Sequence, residues 1–147
     1  GAPLSRLTAR LLCSRDIGGA VESVDHHAIA AALLRAVKHR IGAVPVMEGE
    51  AIVGIFSERD LVRLMSSYGP EALDRKLDEV MTKSPVTCDP GTAVMGALSQ
   101  MTQRRIRHLP VVDGGRLVGF VSIGDLVKYR IDRIEAEAAA MRDYIAS

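Results

Sequence analysis

The chain has 147 residues, a hydrophobic fraction of 48%, only 3% aromatic residues, and 19 basic against 18 acidic side chains. This length allows one compact body, or two small subdomains that share a core, and it excludes two independent domains. The formal net charge of +1 favours neither nucleic acid nor an anionic membrane as a partner, and no stretch approaches the roughly 20 apolar residues of a membrane span. We therefore expect a soluble, cytoplasmic protein with an aliphatic core.

An internal repeat with a period of 65 residues dominates the sequence. Residues 21–63 align without a gap to residues 86–128, and 15 of the 43 aligned positions are identical. Most of the remaining pairs keep their character, so each copy must bury the same face. Because neither copy has enough residues to cover both of its faces, the duplication predicts two similar units that pack on each other.

Local signals predict the elements of the first copy in the order βαββα. Residues 21–24 form a short strand, and an amphipathic helix follows it. Residues 44–47 and 52–56 form a hairpin, and a second helix begins at Ser57. The face of the first helix that is predicted to be buried consists of Ile29, Leu33, Ala36 and Val37.

The second copy repeats this order. Strands are predicted at 86–88, 109–112 and 117–121, and the last helix begins at Ser122. The predicted buried face of its first helix consists of Val94, Ala97, Leu98 and Met101. The chain is thus divided into an N-terminal segment (1–16), a first unit (17–66), a linker (67–79), a second unit (80–130) and a C-terminal helical extension (131–147).

The last helix continues well beyond the second copy. Its apolar residues alternate by four and three positions, which is the seam spacing of helices that pack side by side. This seam consists of Val127, Ile131, Ile134, Ala138, Met141 and Ile145. The pattern is compatible equally with packing on the protein's own surface and with a contact to another copy.

Each copy contains a G-x-x-S-x-x-D segment where its hairpin leads into the following helix, at 54–60 and at 119–125. Such a crossing directs free N–H groups and the positive end of a helix dipole towards one point, which suits a phosphate or a carboxylate. The Asp can accept both hydroxyl groups of a ribose. The same residues also form a helix capping box, which needs no ligand. The spacing favours neither interpretation.

The segment V-T-C-D-P-G-T-A-V…R-H-L-P-V-V-D-G-G-R-L-V-G-F-V-S-I-G-D-L-V at 86–127 resembles a CBS domain, the motif named after cystathionine β-synthase. The first copy, which ends I-G-A-V-P-V-M-E-G-E-A-I-V-G-I-F-S-E-R-D-L-V, resembles it as well, and so does the L-D-E-V-M-T segment at 77–82. The resemblance covers about residues 17–130. It implies a stand-alone Bateman module of the α+β class, with two tandem βαββα CBS units packed about a pseudo-twofold axis and a C-terminal helical extension.

The resemblance also implies two composite clefts that bind AMP, ADP, ATP, S-adenosylmethionine or NAD. Asp60 and Asp125 would hold ribose hydroxyls, and Ser57 and Ser122 would contact ribose or phosphate. The Asp60 cleft would be completed by Val86, Thr87, Ile106, Arg107, His108 and Pro110. The Asp125 cleft would be completed by Val21, Ser23, Ile41, Gly42, Ala43, Pro45 and Arg59.

The two clefts are not expected to be equal, because Gly42 and Ala43 stand where the second copy has Arg107 and His108. The Asp60 cleft is the expected mononucleotide site. AMP is the expected ligand, with NAD(H) and ATP as alternatives, and no metal is expected.

The resemblance implies a regulatory protein rather than an enzyme, acting on a downstream protein that the sequence does not name. CBS modules commonly form disc-shaped homodimers, so we predict a homodimer that the last helix assists. One alternative is a purely structural dimerisation module whose G-x-x-S-x-x-D segments are only capping boxes. A second is an enzyme of unknown type, against which the lack of a recognisable pair of base and nucleophile argues.

Overall fold

A computed structural model describes residues 2–6, 21–22, 28–39 and 42–147. The first unit contains β1 (Val21–Glu22), α1 (Ala28–His39), β2 (Ala43–Glu48), β3 (Ala51–Ser57) and α2 (Glu58–Tyr68). A 3-10 helix (Gly69–Asp74), α3 (Leu77–Val80) and β4 (Thr82–Lys83) follow. The second unit contains α4 (Val94–Arg104), β5 (His108–Asp113), β6 (Arg116–Ser122) and α5 (Ile123–Ala146). The predicted α+β fold with two tandem units and a C-terminal helix is confirmed.

The first unit forms a four-stranded sheet in the order β1-β2-β3-β4. Strand β1 runs parallel to β2, and the other neighbouring pairs are antiparallel. The fourth strand comes from the segment that leads into the second unit, where Thr82 pairs with Ile55. The Met81 side chain lies directly against Gly54, in the space that a Cβ on residue 54 would need. The chain after the linker therefore completes the sheet of the first unit.

The second unit repeats the hairpin closely. Its pairing register shifts between Val111 and Val112, at the position equivalent to the shift between Val46 and Met47 in the first unit. The strand that we predicted at 86–88 is reduced to a single parallel bridge between Cys88 and Val111.

Each unit has its own apolar core. The first contains Ile29, Ala32, Val44, Val46, Phe56, Leu64, Ala72 and Leu77. The second contains Leu4, Val94, Ala97, Met101, Leu109, Val111, Val121 and Leu126. Val37, which we predicted to be buried, is 78% exposed. Each helical residue turns the chain by about 100°, so Val37 lies to one side of the stripe that Ile29, Ala32 and Ala36 form.

The N-terminal residues belong to the core of the second unit, although sequence analysis assigned them no role. Leu4 is fully buried there. Its N–H donates to the Thr92 carbonyl at 2.7 Å, and the Val94 N–H donates to the Ala2 carbonyl at 2.9 Å. Residues 2–6 thus complete the second unit, as β4 completes the first.

Helix α5 is continuous from Ile123 to Ala146, as predicted. Leu126 is buried in its first turns, whereas most of the seam is exposed, from 43% at Val127 to 75% at Ile145. The seam therefore does not pack on the described part of the module. Within that same part, no helix combines the length and the apolar character needed to span a membrane.

Candidate functional site

The two G-x-x-S-x-x-D segments cap their helices in the same way. Asp60 N donates to Ser57 Oγ at 3.2 Å, and Ser57 N donates to Asp60 Oδ2 at 2.9 Å. Asp125 N donates to Ser122 Oγ at 3.1 Å, and Ser122 N donates to Asp125 Oδ2 at 3.0 Å. These reciprocal bonds are those of a capping box. The structural interpretation of the motif is thus correct in both copies, and a ligand role of the same Asp is an additional question.

Asp60 differs from Asp125 in burial and in its contacts. Asp60 is only 8% exposed, whereas Asp125 is half-buried. Ser57 Oγ also donates to Asp60 Oδ2 at 3.0 Å, while Oδ1 accepts only one long bond of 3.5 Å, from Thr82 Oγ1. An ionised carboxylate has about four acceptor positions, so Oδ1 keeps the capacity to accept hydrogen bonds from a ligand.

A cleft of about 490 Å³ lies between the start of α2 and the segment that precedes β5. The first unit and the segment after the linker contribute Gly42, Ile55, Ser57, Glu58, Arg59, Asp60, Val62, Arg63 and Thr82. The second unit contributes Arg105, Ile106, Arg107 and His108. Its volume lies in the range of roughly 300–1,000 Å³ that small-molecule sites occupy. The cleft is composite, because both units supply walls.

Arginine side chains dominate the charge of this cleft. Its lining includes four arginines, Arg59, Arg63, Arg105 and Arg107, against two acidic residues, Glu58 and Asp60. None of the four arginines forms an ion pair with another described residue. Guanidinium groups bind phosphate and carboxylate with paired hydrogen bonds. The cleft is therefore suited to an anionic ligand.

The start of α2 offers fewer free backbone N–H groups to an anion than the G-x-x-S-x-x-D motif predicted. Glu58 N donates to the Gly42 carbonyl at 3.0 Å, and Asp60 N is used in the capping box. Of the first three N–H groups of α2, those of residues 58–60, only that of Arg59 has no partner among the described residues. The expected convergence of several free N–H groups is not observed, so binding of an anion would depend chiefly on arginine side chains.

Arg105 has an unusual backbone conformation for an arginine. It ends α4 with φ 54° and ψ 41°, and its N–H donates to the Met101 and Thr102 carbonyls. A left-handed residue that is not Gly costs roughly 1–2 kcal/mol, and Gly or Asn usually occupies such a helix end. Strained residues are concentrated at ligand sites, and Arg105 lines the cleft.

His108 connects the two units. Its ring stacks on Phe120 with a centroid distance of 5.5 Å, and its Cε1 would lie 3.7 Å from a Cβ placed on Gly42 of the first unit. Burial lowers the pKa of His108 below its ordinary value of 6.5, although the carboxylates of Asp125 and Glu58 act in the opposite direction. The imidazole is therefore largely uncharged at neutral pH.

The structure brings together most of the residues predicted for the Asp60 cleft. Ser57, Asp60, Ile106, Arg107 and His108 line it. Three predicted residues, Val86, Thr87 and Pro110, are not among the lining residues. Pro110 is fully buried in β5, and the half-buried Val86 packs against the second core.

The residues predicted for the Asp125 cleft are only partly described. Ser23, Ile41 and the side chain of Val21 lie outside the described residues. Ala43 and Pro45 are buried in β2. Gly42 and Arg59 line the cleft at Asp60, in a wall to which sequence analysis did not assign them. Arg59 lies there because it occupies the first turn of α2, beside Asp60.

Sequence analysis missed several lining residues, among them Glu58, Arg63, Thr82 and Arg105. Helical spacing contains a signal for Arg63, because residues three and four positions apart share a helix face and both Asp60 and Arg59 precede it at those distances. Thr82 has no local signal, since it is 22 positions from Asp60 and meets it only through the pairing of β3 with β4.

Two relatives align with about three quarters of this chain. The mitochondrial CBS domain-containing protein CBSX3 of Arabidopsis thaliana is 34% identical over 113 residues, which cover 74% of this chain and 55% of the relative. The CBS domain-containing protein YhcV of Bacillus subtilis is 33% identical over 110 residues, which cover 75% of this chain and 76% of the relative. The chain thus spans only about half the length of the plant protein.

Solved structures share the fold. A CBS-domain containing protein from Agrobacterium tumefaciens has a TM-score of 0.73 and 32% identity, covering 88% of this chain and 99% of its own. CBSX2, crystallised in complex with AMP, has a TM-score of 0.73 and 22% identity, covering 90% and 98%. A CBS domain pair solved with methylthioadenosine and S-adenosyl-L-methionine has a TM-score of 0.64 and 25% identity, covering 75% and 88%.

The CBS-domain family model matches the chain twice, at residues 20–67 and 77–132. These two matches coincide with the two repeat units that the sequence and the structure define. The chain therefore belongs to the CBS-domain family and contains a tandem pair of CBS domains.

Proposed function

We propose that this CBS pair binds an adenine nucleotide in the Asp60 cleft and acts as a non-catalytic regulatory sensor. The observation that carries the proposal is the joint presence, in one cleft between the units, of the nearly buried Asp60 and four arginines that form no ion pair with another described residue. Arginines suit the phosphate, and a carboxylate suits the hydroxyls of a ribose.

The cleft offers suitable groups to the ribose, the phosphate and the base of the nucleotide. Asp60 Oδ1 accepts the ribose hydroxyls, since Oδ2 is used by Ser57. Arg107 and Arg59 hold the phosphate from opposite units. Ile55 and Ile106 offer apolar surface to the base. A ligand held in this way contacts both units, so it stabilises the arrangement in which their walls have the correct separation.

AMP is the ligand that we propose first, with ATP and NAD(H) as alternatives that extend the phosphate end. Two neighbours of the same fold were crystallised with adenosine compounds, one with AMP and one with methylthioadenosine and S-adenosyl-L-methionine. The excess of arginine over acidic residues in this cleft favours a phosphorylated ligand over the positively charged sulfonium of S-adenosylmethionine. The protein that responds to the ligand is a separate downstream partner.

A second candidate is a structural module without a ligand. It is favoured by the completed capping boxes, which give Ser57, Asp60, Ser122 and Asp125 a role in helix stability alone. It leaves unexplained why the arginines of the cleft have no acidic partners among the described residues.

Calorimetric titration with AMP, ATP and NADH distinguishes the two candidates. Asp60→Ala is compared with the matched variant Asp125→Ala, because each removes the carboxylate of one capping box and should cost a similar stability of about 1 kcal/mol. We expect Asp60→Ala to weaken AMP binding at least tenfold, which corresponds to one lost charged hydrogen bond, and Asp125→Ala to leave binding at the Asp60 cleft unchanged.

The controls make each result decisive. Thermal unfolding of both variants verifies that they fold and lose similar stability. Absence of heat for all three ligands with the wild-type protein would support the structural module. An equal loss of affinity in both variants would contradict a specific role for Asp60, because the effect would then arise from helix stability.

A further inference from the structure

Glu58 places a carboxylate in the wall of the arginine-rich cleft, and the proposed binding of a nucleotide gives it no role. It is the first residue of α2 and directly precedes Arg59, whose guanidinium we assign to the phosphate. Glu58 is exposed and forms no ion pair with another described residue. Its negative charge therefore acts on whatever anion enters the cleft.

The carboxyl group of Glu58 lies where the two units meet. Its Cδ would lie 4.0 Å from a Cβ placed on Gly42, and Cε1 of His108 would lie 3.7 Å from the same point. Burial lowers the pKa of His108, and the charge of Glu58 opposes this effect. A carboxylate thus lies close to the wall of Arg107 and His108, from which the second unit contributes to the proposed phosphate site.

Helix α2 places its two carboxylates on either side of an arginine. Successive residues of a helix are about 100° apart, so Arg59 lies between Asp60 and Glu58 around the helix axis. A nucleotide with its ribose at Asp60 and its first phosphate at Arg59 therefore extends across the start of the helix in the direction of Glu58. A second and a third phosphate that continue in this direction would meet a like charge.

The charges of the cleft lining match a single phosphate group. The four arginines exceed the two carboxylates, Glu58 and Asp60, by two positive charges, and His108 is largely uncharged. A phosphate monoester carries about two negative charges at neutral pH, so AMP balances the lining. Each further phosphate adds negative charge that the lining does not balance. Without Glu58 the positive excess would be larger and would suit a longer phosphate chain.

We propose that Glu58 is a specificity-determining residue, which makes the cleft select a nucleoside monophosphate over a di- or triphosphate by repelling the additional phosphates. This inference rests on the proposed function of the Asp60 cleft. Repulsion between like charges increases with the number of charges and decreases with their distance. AMP is affected least, because its only phosphate lies among the arginines.

Calorimetric titration with AMP and with ATP, at low ionic strength and without divalent cations, tests this role. We expect the wild-type protein to bind AMP more tightly than ATP. Glu58→Gln removes the charge and keeps the shape of the side chain, so the ratio of ATP affinity to AMP affinity should rise at least about threefold. Glu71→Gln is the matched control, because it removes the same charge from the first turn of a helix outside the lining, and it should leave the ratio unchanged.

Magnesium and a conservative variant separate charge from shape. Mg²⁺ binds the phosphates of ATP and reduces their negative charge, so the gain of Glu58→Gln for ATP should decrease in excess Mg²⁺ and at high ionic strength. Glu58→Asp keeps the charge and should keep the preference for AMP. A gain that is the same with and without Mg²⁺ would overturn the proposal, since the side chain would then act through its bulk.

The outcomes distinguish this inference from the proposed function. If AMP binding requires Asp60 but Glu58→Gln has the wild-type ratio of affinities, or if the wild-type protein binds ATP more tightly than AMP, the role of Glu58 alone is overturned. If the wild-type protein binds neither nucleotide, the proposed function is overturned together with it. Both substituted glutamates are exposed, so the variants should fold, and their thermal unfolding verifies this.

Discussion

The two CBS units share a hairpin, a register shift and a capping box, yet they differ in what surrounds these common parts. Before β5 the second unit has Arg107 and His108, where the first unit has Gly42 and Ala43 before β2. The second unit is completed by residues 2–6, and the first by β4. The two units thus share the hairpin and the helix cap, while the residues that surround these parts differ.

This comparison separates the structural role of the motif from its proposed binding role. Asp60 and Asp125 make the same backbone hydrogen bonds, so the G-x-x-S-x-x-D segment explains the start of each helix and no more. What distinguishes Asp60 is the wall opposite it, to which the second unit contributes two arginines and His108. In the proposed site, the residues that distinguish the two motifs therefore come from the other unit.

Removal of the side chain that the N-terminal segment contributes should have the largest effect. Leu4→Ala leaves a cavity in the core of the second unit, and substitutions of this kind cost about 2–5 kcal/mol. Denaturant unfolding should show this loss, while the exposed Arg6→Ala should have almost no effect. Equal stability of Leu4→Ala and wild type would show that the second unit does not need this segment.

Giving the second unit the residues of the first at positions 107 and 108 should weaken AMP binding in the Asp60 cleft. The double variant Arg107→Gly with His108→Ala gives the second unit the sequence of the first at these positions. Loss of one charged and one neutral hydrogen bond amounts to about 3 kcal/mol, so AMP affinity in calorimetry should fall about a hundredfold. Arg104→Ala, which removes a nearby arginine outside the lining, should leave affinity unchanged. A double variant with wild-type affinity would contradict the importance of this wall.

Arg105→Gly should separate stability from binding. Glycine adopts the left-handed conformation without steric cost, so the free energy of unfolding should rise by about 1 kcal/mol. The same change removes a guanidinium group from the cleft, and AMP binding should weaken several-fold. A variant that gains stability and retains full affinity would remove Arg105 from the site.

The pH dependence of binding should show the smallest effect. A phosphate beside His108 favours the charged ring, so AMP affinity should rise a few-fold between pH 7.5 and pH 5.5 relative to His108→Gln, in which only the phosphate titrates. A shift of one pKa unit corresponds to about tenfold in affinity. Parallel pH profiles for the two proteins in calorimetry would exclude a phosphate contact.

Without ligand, the sign of the pH effect is reversed. The pKa of His108 is lowered in the folded state by burial, so the unfolded chain takes up a proton first as the pH falls below 6.5. The free energy of unfolding should therefore decrease in this range, and His108→Gln should reduce the decrease.

The repeat made most of the fold predictable, because positions that are apolar in both copies are expected to be buried in both. The stripe of α4 was predicted correctly for this reason, with Val94, Ala97 and Met101 buried. The predicted burial of Val37 was wrong, because residue type alone does not distinguish an apolar residue beside a buried stripe from one within it. Leu4 was missed because its partners are about ninety residues away, and no local pattern indicates such a contact.

The candidate site was predictable as far as the family motif extends. Asp60, Arg107 and His108 lie in one cleft as expected, since each belongs to a recognisable segment. Arg105 was not predicted, because its position follows from the left-handed end of α4. Pro110, which the family resemblance assigned to the cleft, is fully buried in β5 and does not line it.

The exchange of completing segments has a consequence for how the chain folds. Residues 2–6 leave the ribosome long before residues 90–94, with which they pair, so they remain without these partners until the second unit has been synthesised. Such distant contacts slow folding. A cut in the linker would deprive one fragment of β4 and the other of Leu4, so neither half should fold well by itself. The smallest part of this chain that we expect to fold is therefore the pair of units, even though the sequence consists of one unit in two copies.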